Sequence, residues 1–281
     1  MKFKWILILL LVLSCSTHSS NNDTEFFTVS LKPGEVKKIV LKEGILSNND
    51  EVFCKEQRVP WFTSKNTCLF FISESYFSEL NPFECVRKNK EGTKTIVRIL
   101  LEGKEFPFEK LSVAKEKVEY STGDIERITK ETELLSSIYE KSVGNLLFQE
   151  AFENPLESQV TSQYGTKRLF NNKKNTQHLG IDFKADVGTP IKVSNSGKVV
   201  LAQDLFFTGN TVIIDHGLGV FTMYGHLSKV FVKKEETVFK NTLIGLSGKT
   251  GRVTGPHLHW GVKVQGNWVD GNSLIKETKA L

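Results

Sequence analysis

Beyond Phe152 the chain carries strand signals and little else. Short apolar runs are cut by Gly188, Gly197, Gly209, Gly217, Gly219, Gly245, Gly248, Gly251 and Gly255, and no long helical period appears before Ile275. Glycines at this density mark tight turns, because glycine takes up left-handed backbone without the steric cost that other residues meet. An antiparallel sheet protein is therefore expected over residues 151–281.

Upstream the pattern changes twice. Between 26 and 120, runs such as Phe27-Thr28-Val29-Ser30-Leu31, Ile39-Val40-Leu41, Cys68-Leu69-Phe70-Phe71-Ile72 and Thr95-Ile96-Val97-Arg98-Ile99-Leu100 alternate with turn residues such as Lys32-Pro33-Gly34. These predict a small, mainly β domain without a recognisable motif. Ser121-Thr122-Gly123-Asp124 is then a capping signature, and Ile125, Ile128, Leu134, Leu135, Ile138 and Tyr139 follow at near-helical spacing. The spacing predicts a helix over about 124–142 within a connector spanning 121–150, joining or bracing the two β units, its charged face in solvent. The length of 281 residues fits about two domains.

The first residues have the marks of an export signal: basic Lys2 and Lys4, the apolar run Trp5 to Leu13, then Ser14-Cys15. A spanning helix needs about 20 apolar residues, and polar residues intervene too soon. Val12-Leu13-Ser14-Cys15 resembles a bacterial lipobox. It implies removal of residues 1–14, lipidation of Cys15 and a polar tether over 15–25. Ser16 after the cysteine implies the periplasmic face of the outer membrane in a cell that has one, and an ordinary secreted product is the alternative. In the mature chain Cys54, Cys68 and Cys85 remain, and export permits one disulfide in any of three pairings. The formal net charge of +5 comes without an Arg/Lys stripe interleaved with aromatics, which argues against nucleic acid as a partner.

Of six histidines, all but His18 lie in the C-terminal part, at His178, His216, His226, His257 and His259. Side chains two apart on a strand share a face. A strand through His257-Leu258-His259-Trp260 would place both imidazoles opposite Leu258 and Trp260. The same alternation groups His178, Gly180 and Asp182 opposite Leu179, Ile181 and Phe183, and groups Thr222, Tyr224 and His226 opposite Phe221, Met223 and Leu227. Three segments thus offer imidazole or carboxylate, the ligand types of a zinc site. His216, in Ile214-Asp215-His216-Gly217, fits an ordinary hydrogen-bonded residue.

His178-x-x-x-Asp182, Gly225-His226-Leu227-Ser228 and His257-x-His259 resemble the motifs of the lysostaphin/LytM-type zinc metallopeptidases, which cut peptide bonds in bacterial peptidoglycan. The flanking Gly188-Thr189-Pro190, Gly209 to Gly217 and Gly248 to Pro256 agree, and the likeness runs from about Phe152 to Leu274. It implies a β-sheet domain of the duplicated hybrid motif type, Zn²⁺ held by His178, Asp182 and His259, and His226 and His257 as catalytic histidines beside the metal. One of these two would accept a proton from water and the other would hydrogen-bond the oxyanion. No His-Glu-x-x-His motif is present for a glutamate base. The chain departs from the family pattern at Glu235 and Asn241, where glycine is usual, and at Gly271, where Val-Asp-Pro is usual.

The expected protein is an exported, lipid-anchored zinc endopeptidase for cross-links or stem peptides of peptidoglycan, with any protein activator unknown. The alternative is a wall-binding regulator that activates a separate amidase. The complete ligand set weighs against it.

Overall fold

The computed structural model describes residues 26–111, 120–172 and 174–279. The expected signal 1–14, the lipidation site Cys15 and the tether 15–25 lie outside the described residues.

Before the helix come β1 (Phe27–Leu31), β2 (Val36–Lys42), β3 (Glu51–Cys54), β4 (Gln57–Val59), β5 (Trp61–Ser64), β6 (Thr67–Ser73), β7 (Phe83–Asn89), β8 (Gly92–Leu101) and β9 (Phe108–Leu111). A five-stranded sheet ordered β1-β8-β7-β3-β4 and a three-stranded sheet ordered β2-β6-β5 share one apolar cluster that includes Leu31, Ile39, Val52, Phe70, Val97 and Ile99. Cys54 faces Cys85 across β3 and β7, and these two form the disulfide, leaving Cys68 as a buried thiol.

The helix α1 runs Thr122–Tyr139, so it starts and stops slightly before the span expected from spacing. Its start is a capping box: Ser121 Oγ accepts from Asp124 N at 3.1 Å, and Asp124 Oδ2 accepts from Ser121 N at 3.0 Å. Past its end, Asp215 takes hydrogen bonds from Ser142 Oγ and Val143 N at 2.8 and 2.7 Å and draws the chain into the sheet domain. Leu134, Leu135, Ile138 and Tyr139 pack on Leu201, Leu205, Ile213, Phe221 and Met223. The charged face is not purely solvated, because Arg127 pairs with Asp204 at 2.8 Å and Glu131 accepts from Phe206 N at 2.7 Å. A charge pattern alone carries no sign that a hairpin lies beside it.

After α1 come β10 (Val160–Ser162), β11 (Lys167–Phe170), β12 (Lys174–Gln177), β13 (Ile181–Lys184), β14 (Pro190–Lys192), β15 (Gly197–Leu205), β16 (Gly209–Asp215), β17 (Val220–Leu227), β18 (Lys229–Val230), β19 (Thr237–Val238), β20 (Leu243–Leu246), β21 (His257–Val264) and β22 (Asn267–Val269). The main sheet has the order β10-β13-β21-β17-β16-β15-β19, with β22 hydrogen-bonded to β21. Its pairings are antiparallel, as the glycine-punctuated pattern requires. A short helix α2, Gly271–Thr278, closes the chain, where the sequence pattern showed none. Eight residues are too few to display a helical period.

The family departures have local causes. Glu235 and Asn241 adopt φ of 72° and 67°, the left-handed backbone for which glycine is usual. Gly271 begins α2 behind the cap Asp270, and a Cβ there would lie 2.2 Å from Trp260 Cζ3. The buried indole occupies the space a larger residue would need.

The two β units are joined by more than α1. Val36 and Phe71 belong to the same apolar cluster as Tyr164, Tyr224 and Trp260. Val36 N donates to Ser273 Oγ at 3.0 Å, and Ser73 Oγ donates to Val264 O at 2.6 Å. Strand β9, which precedes α1, pairs in parallel with β11.

Candidate metal centre and active site

The register of β13 against β21 builds the centre. Asp182 faces His259 and Lys184 faces His257, while Ile181 faces Trp260 and Phe183 faces Leu258. Directly opposed residues project to the same side of a sheet, so the polar pairs share one face and the apolar pairs the other. The apolar four are buried in the main core. Just before β13, His178 turns toward this polar face, and Gly180 lets it do so. A Cβ on Gly180 would lie 2.5 Å from His259 Cε1 and 2.8 Å from the Trp260 carbonyl oxygen.

Three ligand-type atoms converge there. His178 Nε2 lies 2.9 Å from Asp182 Oδ1 and 3.1 Å from His259 Nδ1, and the latter lies 2.8 Å from the same carboxylate oxygen. Among the described residues this is the group of His, Cys, Asp and Glu side chains able to hold a metal ion. Two imidazole nitrogens and one carboxylate oxygen form a zinc donor set of the kind that keeps a further position open. With bonds of 2.0–2.1 Å, tetrahedral ligands stand roughly 3.3 Å apart, so the triad fits such an ion with small outward shifts.

His226 reaches the same place by a route that alternation does not foresee. Thr222 and Tyr224 face the core, with Tyr224 opposite Trp260 and its hydroxyl accepting from Thr222 Oγ1 at 3.0 Å. His226 does not share their side. Between Asn210↔Leu227 and Val212↔Tyr224 the register shifts, setting Gly225 and His226 against Thr211 alone. At this bulge His226 takes φ of 63°, which re-aims its side chain. Its ring centroid lies 4.7 Å from that of His257 and 6.0 Å from that of His259. All five residues singled out by sequence therefore meet, but His226 does so through a bulge instead of regular alternation.

Backbone carbonyls orient the rings. His178 Nδ1 lies 3.1 Å from Gln163 O, His226 Nδ1 lies 2.9 Å from Thr250 O and His257 Nδ1 lies 3.0 Å from Gly255 O. A carbonyl oxygen can only accept, so each Nδ1 carries a proton, and in a neutral ring the lone pair then sits on Nε2. Burial lowers His226 to about 3, with the neighbouring His259 and His257 adding to the effect. His259 is also lowered, chiefly by burial. For Asp182 burial works upward, but hydrogen bonds and charge from His178 and His259 outweigh it and hold the carboxylate well below its usual range. Burial thus disfavours the charged form of His259 while Asp182 stays ionised, and a bound cation requires its ligands in those states.

The centre lines a groove of about 870 Å³ whose walls include Arg168, Lys184, Phe207 and Arg252. Arg168 was not visible as a site residue in the sequence. Its Nη2 donates to Asp182 Oδ2 at 3.2 Å and to Ser162 Oγ at 2.7 Å. The link depends on strand register, which no spacing motif encodes. His216 lies away from the groove, fully buried, with Nδ1 2.8 Å from Ser196 O and Nε2 2.8 Å from Thr222 Oγ1. Burial lowers it to about 4.

The chain is similar to known proteins. Residues 176–271 match Peptidase family M23. Over 136 residues the chain is 42% identical to the peptidoglycan DD-endopeptidase ShyA of Vibrio cholerae serotype O1, covering 47% of this chain and 31% of that protein. It is 32% identical to the catalytic domain of the antimicrobial peptidase lysostaphin from Staphylococcus simulans, covering 42% of this chain and 92% of that domain at a TM-score of 0.38. A crystal structure from Pseudomonas aeruginosa described as a peptidase M23 is 27% identical and covers 87% of this chain and 95% of its own, with a TM-score of 0.69. That last similarity extends the shared fold beyond the C-terminal unit to most of the chain. The chain carries a peptidase family M23 domain, and it spans under a third of the length of the ShyA relative.

Proposed function

We propose that this protein is a zinc-dependent endopeptidase that hydrolyses peptide cross-links or stem peptides of bacterial peptidoglycan. The observation that carries the proposal is the convergence of His178, Asp182 and His259 within one groove beside two further imidazoles, His226 and His257. The likeness to a peptidoglycan DD-endopeptidase supports the substrate class.

His178 Nε2, Asp182 Oδ1 and His259 Nδ1 would hold the ion. When bound, zinc supplies Lewis acidity toward the scissile carbonyl and lowers the pKa of water. Hydrolysis breaks the amide C–N bond, adds the oxygen of water to the carbonyl carbon and ends with a proton on the leaving amine. His226 and His257 present basic Nε2 atoms beside the triad, so either can take the proton of water. Once protonated, that imidazole can donate to the leaving nitrogen or hydrogen-bond the oxyanion. Their Nδ1 bonds to Thr250 and Gly255 carbonyls keep both rings from turning.

The export signal and the lipobox at Cys15 would hold the enzyme in the cell envelope, on the periplasmic face of the outer membrane where one exists. Among the described residues no helix is long and apolar enough to cross a membrane. Digestion of purified sacculi by the full chain, with products identified by mass spectrometry, tests the proposal. New muropeptides with a cleaved peptide bond are expected. Intact sacculi, digested only when an amidase is added, would instead identify a regulator.

A further inference from the structure

The two oxygens of Asp182 keep different company. Oδ1 faces the His178 and His259 nitrogens at 2.9 and 2.8 Å, whereas Oδ2 accepts from Arg168 Nη2 at 3.2 Å. The same Nη2 donates at 2.7 Å to Ser162 Oγ, and Ser162 is the register partner of Asp182 across β10 and β13. Arg168 sits on β11 directly beside Glu109 on β9. Its Nε lies 3.6 Å from Glu109 Oε2 and is buried without a hydrogen-bond partner. Glu109 therefore balances the guanidinium charge at close range without bonding to that nitrogen.

We propose that Arg168 is a positioning residue for the metal centre, holding Oδ2 so that Asp182 offers Oδ1 alone, and that Glu109 in turn holds Arg168. This rests on the metal centre proposed above. The χ2 torsion of an aspartate is soft, so an unrestrained carboxylate could turn and present both oxygens to a cation. A planar guanidinium wedged between Ser162 and Asp182 resists that turn, which a lysine ammonium does less well. Glu109 belongs to the segment before α1, so the upstream chain takes part in shaping the ligand set.

Competition with a chelating indicator would measure the zinc affinity of the full chain and its variants. Arg168→Met should weaken zinc binding about 10- to 100-fold, the usual effect of losing a group that supports a ligand. Arg168→Lys should recover part of that loss, and Glu109→Gln should lose several-fold. A purely structural role would not alter the coordination number of a bound ion. With Co²⁺ in place of zinc, Arg168→Met should give a weaker visible absorption than wild type, as the second oxygen joins the ion, while thermal unfolding of the folded protein stays close to wild type. Equal zinc affinity in wild type and Arg168→Met would overturn the proposal. Should Arg168→Met not fold, unchanged affinity in both Arg168→Lys and Glu109→Gln would overturn it. A wild type that binds no zinc would overturn the metal centre itself, an outcome distinct from a wild type that binds zinc and an Arg168 variant that binds it equally.

Discussion

His257 and His259 occupy one strand and one face, yet their surroundings differ. His259 Nδ1 lies 2.8 Å from Asp182 Oδ1, whereas His257 Nε2 stands back at 3.7 Å. His259→Ala should therefore abolish zinc binding, while His257→Ala should retain zinc and lower kcat about 10²- to 10⁴-fold, the usual range for a lost acid or base. Equal zinc loss in the two variants, measured by metal analysis after gel filtration, would contradict this division. His216 supplies a second prediction, concerning stability. Its folded value of about 4 lies below the roughly 6.5 of an unfolded chain. On acidification the unfolded chain binds this proton first, so stability is full above about pH 6.5 and falls until the pH nears 4. The loss is about 3 kcal/mol. Urea unfolding across that window should show a shallower decline in His216→Gln than in wild type.

At the scale of elements, the legibility of the site depended on backbone regularity. Strand alternation places Asp182, His257 and His259 correctly because β13 and β21 pair without interruption. It misplaces His226 because a bulge and a left-handed residue intervene there, and neither has a period to detect. The capping box at Ser121 located the start of α1, but Asp215, far along the chain, decides where the following segment goes. Arg168 stayed invisible for the same reason, since its partners come from strand pairing. Tyr139, near the end of α1, makes edge contacts with Phe221 at 5.2 Å and Trp268 at 5.6 Å, and Lys263 Nζ lies 4.9 Å from its ring. Tyr139→Ala should cost about 2–4 kcal/mol, somewhat below the value for a fully buried aromatic. Denaturant midpoints at unchanged slope would measure it.

For the whole molecule, the upstream β unit is part of the construction and more than a leash. Val36 and Phe71 complete the main apolar cluster, β9 extends the β11–β12 sheet, and Gly34 O accepts from Asp270 N at 2.7 Å at the start of α2. Deleting everything before Phe152 would expose the faces that these groups cover. The truncated chain should unfold at a markedly lower temperature than the full chain and bind zinc more weakly, because Glu109 is lost with β9. A truncated domain with the melting temperature and zinc affinity of the full chain would show the upstream unit to be an independent appendage. The mainly β architecture was readable from turn spacing, while this joint was not, because it depends on surfaces that meet only after both units fold.

The proposed function makes peptide-bond hydrolysis depend on zinc held by His178, Asp182 and His259. Its most direct test is to strip the full chain with a chelator, titrate Zn²⁺ back, and follow bound metal and sacculus digestion in the same samples. Hydrolysis should vanish on stripping and return in proportion to zinc up to one ion per chain, with His178→Ala failing to recover. Digestion that persists in the stripped protein, or recovery in the His178→Ala variant at the same zinc level, would contradict the account.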